Sequence, residues 1–212
     1  MSFYPMFANL TEKPCLVVGA GKVAERKIAS LLSSGARVTV VSPTCTSGIQ
    51  KWSDEGRLTL HLRSFSPEDV REMTIIIAAT DAAAVNLAVH EACLPHQWLN
   101  IVDRPDLCSF FVPAVVERGD LQVAISTGGA NPGLAKKMRR QLEQWIGPEY
   151  ESYTLFLREM RQQVLSLGLG EDEKRIIMGE LLDDRFFQWT QNGDIERRDR
   201  EAQELFYRLP KD

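Results

Sequence analysis

The 212-residue chain has few groups able to hold a metal. It has four cysteines, Cys15, Cys45, Cys93 and Cys108, and three histidines, His61, His90 and His96. No two cysteines form a C-x-x-C pair, and the histidines are equally scattered. Zinc-ligand spacing is missing, so no metal site is expected. Dispersed thiols of this kind predict reduced, mostly structural cysteines in a cytoplasmic protein. No apolar run approaches the roughly 18 to 20 residues of a membrane span. The start, MSFYPMFANLTEKP, lacks a basic segment followed by an apolar one, so no signal peptide is expected. Neither sign of charge dominates: 25 Lys and Arg stand against 29 Asp and Glu, a net charge of −4. A general attraction to nucleic acid or to anionic membrane is therefore excluded. Internal repeats and low-complexity segments are absent too.

What is present is an ordinary hydrophobic fraction, 44%, enough to bury a core in one sizeable domain or a medium domain with an appendage. The first part alternates strand and helix. CLVVG (15–19) is a continuous apolar run, as a strand covered on both faces requires. Residues 22–34 read as a helix with Val23, Ile28, Leu31 and Leu32 on its apolar side, ended by Gly35. RVTVVSP (37–43) is a second strand, and GRLTLHLRSF (56–65) contains a short one. Ser66 and Pro67 open a short helix as N-cap and first residue. MTIIIAATD (73–81), WLNIVD (98–103) and LQVAIST (121–127) are further strands, with a helix over 82–95. This alternation, over about 127 residues, predicts an α/β fold with a mostly parallel sheet. From Asn131 onward the pattern turns helical, over 132–145, 149–167, 171–183 and 194–207. Leu155, Met160 and Val164 mark its apolar spacing.

GAGKVA lies between the first strand and the first helix. Gly19 permits a tight turn, Gly21 lets backbone approach a pyrophosphate, and Ala24 is the small residue that packs helix on strand. The phosphates would meet the N-terminus of the 22–34 helix, which favours anions. The acid that usually follows the second strand is missing. Ser42 and Thr44 can bond a ribose hydroxyl without a charge, and no arginine lies between Ser42 and Gln50 to receive a 2′-phosphate. NAD is therefore favoured over NADP.

Two more stretches bear on function. AATD ends a strand with Thr80 and Asp81, positioned to cap the following helix or to line the cofactor cleft. NIVD ends another with Asp103, where open α/β sheets place ligand-contacting groups; Asp103-Arg104-Pro105 also reads as a simple turn start. STGGANPGLAKKMRR then supplies Thr127, Gly128, Gly129 and Asn131, an N-cap followed by Pro132, and a basic run including Lys136 and Arg139. Such a run is either an anion-receiving helix start or a solvated face.

The ordered set VVGAGKVAERK, AATD, NIVD, SFFVPA and STGGANPGLAKKMRR, covering about residues 1–145, resembles the precorrin-2 dehydrogenase family, found alone or as the N-terminal part of siroheme synthases. The resemblance implies a Rossmann-type domain (1–112), a dimerisation region (113–146) and a small all-helical C-terminal domain (147–212), assembled as a homodimer. It implies oxidation of precorrin-2 to sirohydrochlorin with NAD; some members also insert ferrous iron, and that activity stays open here. By position, NAD contacts fall on Gly19, Gly21, Lys22 and Val23 and on Pro43 and Thr44. Asp103 matches the active-site aspartate. Thr127 matches a residue that is a phosphorylated serine in some relatives. The chain ends at Asp212, so the methyltransferase domain of the trifunctional enzymes is not expected. Two other readings compete: a non-catalytic NAD-sensing Rossmann module, and a chelatase that has lost dehydrogenation.

Overall fold

The computed structural model describes residues 4–208. These divide into two compact units, one of residues 4–112 with 128–130, the other of residues 113–127 with 131–208.

The first unit is a five-stranded parallel sheet. Its elements run β1 (Pro14–Val18), α1 (Lys22–Ser33), β2 (Arg37–Val41), α2 (Ser47–Asp54), β3 (Thr59–His61), β4 (Ile75–Ala78), α3 (Ala83–Ala92) and β5 (Trp98–Ile101). Short 3₁₀ turns cover Pro67–Val70 and Pro105–Leu107. The strand order is β3-β2-β1-β4-β5, so the chain leaves β1 to one side, then returns to build on the other. Successive strand residues point to opposite faces, and both faces are covered. Cys15, Val17, Val38, Val40, Ile75 and Ile77 pack with Ala24, Ile28 and Leu31 of α1 and Ile49 of α2. Leu16, Val18, Ile76, Ala78, Leu99 and Ile101 pack with Val89 of α3. That is why β1 and β4, at the centre, read as unbroken apolar runs. Each fully buried Val, Leu or Ile contributes about 1.5 to 3 kcal/mol relative to exposure.

The second unit pairs a hairpin with helices. β6 (Ala114–Arg118) and β7 (Leu121–Ile125) are antiparallel. The strand expected over 121–127 therefore lies outside the parallel sheet, because its partner is β6, joined to it by only Gly119 and Asp120. The helices are α4 (Pro132–Trp145), α5 (Glu149–Ser166), α6 (Glu171–Glu180), α7 (Asp184–Gln191) and α8 (Ile195–Arg208). The helix expected over 171–183 stops at Glu180, and α7 follows, started by Asp183, whose carboxylate accepts from Arg185 N. The apolar stripe of α5 is Tyr153, Phe156, Met160 and Val164; Leu155 sits off it and is 43% exposed. Phe156 and Phe186 stack at 5.9 Å, and the guanidinium of buried Arg198 lies 4.2 Å from the Phe156 ring. That cation is satisfied by Thr190 at 3.2 Å and Asp199 at 2.8 Å.

The hairpin tip is pressed onto α5. Gly119 has φ +58, and a Cβ there would lie 2.6 Å from Thr154 Oγ1 and 3.0 Å from the Glu151 carbonyl. Thr154 Oγ1 accepts from Asp120 N at 3.1 Å, and Arg158 pairs with Asp120 at 2.9 Å. Gly119→Ala is thus expected to destabilise this unit by about 1 to 3 kcal/mol, the usual cost of a side chain forced into a strained backbone region. Urea denaturation followed by tryptophan fluorescence reads the loss, and an unchanged midpoint would contradict it.

Candidate functional site

The parallel register brings the strand ends into rows. His61, Val41, Val18, Ala78 and Ile101 stand side by side across β3, β2, β1, β4 and β5. The next row is Ser42, Gly19, Ala79 and Val102, still joined by backbone bonds. Gly19 N donates to Val41 O at 2.9 Å, Ala79 N to Val18 O at 2.8 Å and Val102 N to Ala78 O at 3.0 Å. Beyond this row the strands open into loops, at the carboxyl edge where such sheets bind ligands. Gly19, Gly21, Lys22, Val23, Ser42, Pro43, Thr44, Thr80, Asp81 and Asp103 all fall on this edge.

At its centre, β1 and β4 diverge into loops that nearly touch. Gly19 has φ +102, and a Cβ there would lie 2.4 Å from the Ala79 carbonyl oxygen. Gly21 is the N-cap of α1, and no side chain caps that helix. Its first N–H groups lack intrahelical partners until Glu25 N meets Gly21 O at 2.9 Å. A Cβ at Gly21 would meet nothing within 4 Å. Bare N–H groups, a positive helix end and open space in front fit the pyrophosphate of a dinucleotide. Ala24 is fully buried under the turn, as expected, whereas Val23 is 38% exposed. At the second position of α1 it faces the mouth of the turn rather than the sheet, so it is not part of the apolar side.

On the β2 side, Ser42 is buried while Pro43 and Thr44 are exposed. Thr44 is therefore the hydroxyl turned outward. The unexpected helix α2 begins next: Thr46 accepts from Ile49 N, and Thr46 N donates to Ala20 O at 3.1 Å. Thr46 followed by Ile49 and Trp52 is its signal, obscured by Gly48 and the short polar run. The Glu25 carboxylate lies against Gly48, where a Cβ would come 2.0 Å from Oε1. It is an acid close to the start of α2, on a helix where no sequence pattern marked it.

On the β4 side, Thr80 does not cap α3, whose N-cap Ala82 has no side-chain bond. Its Oγ1 instead donates to Asn86 Oδ1 at 2.7 Å, and Asn86 Nδ2 donates back to Thr80 O at 3.0 Å. The buried Asn86 thus fixes the loop from inside. Asp81 is exposed. On the β5 side, Asp103 has φ +64 and is exposed. Among the described residues nothing hydrogen-bonds or ion-pairs with its carboxylate. The neighbouring Arg104 is engaged by Asp106 through two bonds, 3.0 and 2.8 Å. That pairing holds the Asp106 carboxyl below its usual range.

The second unit carries its own cluster. Asn131 is the N-cap of α4, its side chain accepting from Leu134 N at 3.0 Å, with Pro132 next. Thr127 Oγ1 accepts from Asn131 N at 3.1 Å, so both polar side chains build the helix start. Lys136 is exposed, but Arg139 is held by Glu143 one turn on. Gly128 and Gly129, with φ +61 and +85, group with the first unit.

Comparison with known proteins agrees with this geometry. Residues 6–114 match a family model described as NAD(P)-binding, and residues 118–144 match one described as sirohaem biosynthesis protein, central. Among solved structures, SirC, precorrin-2 dehydrogenase, superposes with TM-score 0.80 at 30% identity, covering 97% of this chain and 100% of SirC. This chain belongs to the precorrin-2 dehydrogenase and siroheme synthase family. The siroheme synthase of Methylobacillus flagellatus is 42% identical over 178 residues, 83% of this chain and 38% of the relative. That of Methylococcus capsulatus is 40% identical over 165 residues, 77% and 35%. Siroheme synthase 2 of Yersinia enterocolitica is 35% identical over 208 residues, 97% and 44%. The chain thus spans about two fifths of the length of these curated relatives. Its first unit is a nicotinamide-dinucleotide-binding domain. No helix among the described residues is long and apolar enough to cross a membrane.

A negative side chain at Gly21 would occupy the space in front of the α1 N–H groups. Gly21→Asp is expected to abolish dinucleotide binding and to leave the fold intact, since its Cβ has room. Calorimetric titration alongside a thermal melt checks both halves; unchanged affinity would refute the assignment.

Proposed function

We propose that this chain oxidises precorrin-2 to sirohydrochlorin with NAD. The observation that carries the reading is an uncapped helix N-terminus and a carboxylate without a partner among the described residues, Asp103, on one sheet edge, in a chain that matches SirC, precorrin-2 dehydrogenase, over 97% of its length. The oxidation removes a hydride and a proton. When bound, the nicotinamide ring accepts the hydride. Gly19 and Gly21, with the backbone of Lys22 and Val23, hold the pyrophosphate. Pro43 and Thr44 take the adenosine ribose, while Thr80 and Asp81 line the opposite side. Asp103 takes the proton or orients the macrocycle. Thr127, Gly128, Gly129, Asn131 and Lys136 receive substrate carboxylates. Arg139, held by Glu143, contributes only by exchanging partners. Ferrous-iron insertion is an activity to assay on the same protein with sirohydrochlorin supplied directly.

NAD over NADP rests on two features. Thr44 offers a hydroxyl and no cation, and the Glu25 carboxylate beside Gly48 would repel a 2′-phosphate entering between α1 and α2. A non-catalytic NAD-sensing module has less support, because such a module has no use for an unpaired Asp103 or the Asn131 helix start. The intact glycine turn argues against a chelatase alone.

We also propose that residues 113–146 form a dimerisation region, leaving 147–212 as a helical domain. Leu134 and Met138 of α4, one turn apart, and Val115 of β6 are exposed at 48, 40 and 39%, apolar groups that a second copy would cover. Sedimentation at micromolar concentration should give a dimer mass; a monomer would count against it.

Asp103→Ala should slow dehydrogenation about 10² to 10⁴-fold, the usual contribution of a general base, with NAD affinity almost unchanged. Asp103→Asn separates the roles. Turnover near wild type for Asn, with a large loss for Ala, assigns orientation rather than proton transfer. Full turnover in both variants, followed by NADH absorbance under anaerobic conditions, removes Asp103 from the mechanism. NADP in the same assay should be the poorer acceptor.

A further inference from the structure

Asp103 occupies the left-handed backbone region, φ +64. Aspartate tolerates it better than most side chains, yet such a conformation persists only where the surrounding structure holds it. The turn's own backbone closure is weak: Arg104 N reaches Ile101 O at 3.4 Å. Something else fixes this turn.

We propose that Cys108 is a positioning residue for Asp103, its sulfur joining the two sides of the turn that carries the carboxylate. The 3₁₀ turn Pro105–Leu107 brings the chain back alongside β5. There Cys108 Sγ accepts from Ile101 N at 3.1 Å and from Asn100 Nδ2 at 3.6 Å. It also lies 3.3 Å from Ile101 O and 3.2 Å from Arg104 O, and its single proton donates to one of these at a time. One atom therefore grips residue 101 before Asp103 and residue 104 after it. Burial pushes the thiol above its ordinary range, which keeps the donating proton in place at neutral pH. The sulfur touches neither substrate nor cofactor in this role; it acts through the backbone of Asp103. The Arg104–Asp106 pair on the outer side of the turn keeps the neighbouring cation off the Asp103 carboxylate, so the two devices divide the work.

The inference rests on the reading of Asp103 as the carboxylate of the reaction, and a double-mutant cycle separates the two. The full chain is assayed with precorrin-2 and NAD as wild type, Cys108→Ala, Cys108→Ser, Asp103→Ala and Cys108→Ala/Asp103→Ala. A small displacement of a catalytic group is costly, up to about 10²-fold for an ångström, so Cys108→Ala should lower kcat by roughly 10-fold. KM for NAD should not change, because the glycine turn is untouched. Cys108→Ser, whose hydroxyl can accept and donate in the same place, should restore most of kcat. In the Asp103→Ala background, Cys108→Ala should have no further effect, as expected of residues acting through one group. Wild-type kcat in Cys108→Ala beside a slow Asp103→Ala would overturn the positioning role and leave the function standing. So would losses that multiply in the double variant, or serine performing no better than alanine. Full turnover in Asp103→Ala would overturn the functional reading and this inference with it.

Discussion

The site depends on one close approach. The backbone of Gly19 lies so near the Ala79 carbonyl that a single extra carbon would come within 2.4 Å of its oxygen. This is the point where the chain, having built β2 and β3 on one side of β1, places β4 on the other. Two strands that carry successive layers of the site must separate there. They can do so only if the first of them turns with positive φ and without a side chain. Once that is met, α1 starts directly behind the turn with its N–H groups bare, and the loop after β4 is held at a fixed height beside it. Asn86 then holds Thr80 through two side-chain bonds, which fixes the loop after β4.

Charge on this edge is disposed by the same economy. The anion-attracting element is backbone: the uncapped start of α1. Two cations beyond the strand ends are engaged by acids, Arg104 by Asp106 and Arg63 by Asp69. Among the described residues, the carboxylates without a partner at the ends of β4 and β5 are Asp81 and Asp103, and Asp103 sits on a left-handed turn. An unpaired exposed carboxylate gains little stability from its position, so its presence on a strained turn is an argument for use.

Much of this was legible in the sequence because it depends on neighbours in the chain. Strands buried on both faces announce themselves as apolar runs, and Gly19, Gly21 and Ala24 follow from strand-turn-helix spacing. The N-cap Asn131 with Pro132 needs only two adjacent residues. The missed elements have different causes. Helix α2 is short and carries Gly48. β6 is half exposed and begins after Pro113, so it shows no continuous run. Helix α7 merges with α6 in the sequence because the charged stretch Leu182 to Arg185 masks its start. The residues that shape the site from behind, Asn86, Glu25 and Cys108, act across loops. Their partners are fixed by the fold, and a lone Asn, Glu or Cys carries no local mark of such a role.

The return of the chain beside β5 has a further effect. β5 is an outer strand of the sheet, and outer strands can recruit strands from other molecules. Here Leu99 N donates to Ser109 Oγ at 2.7 Å, Leu99 O accepts from Ser109 N at 2.8 Å, and Ile101 N is taken by the Cys108 sulfur. A serine hydroxyl and a thiol thus stand in for the missing sixth strand. The two halves of this border differ in kind: blocking the thiol would free one donor, Ile101 N, while the Ser109 bonds to Leu99 would keep the rest of the rim covered.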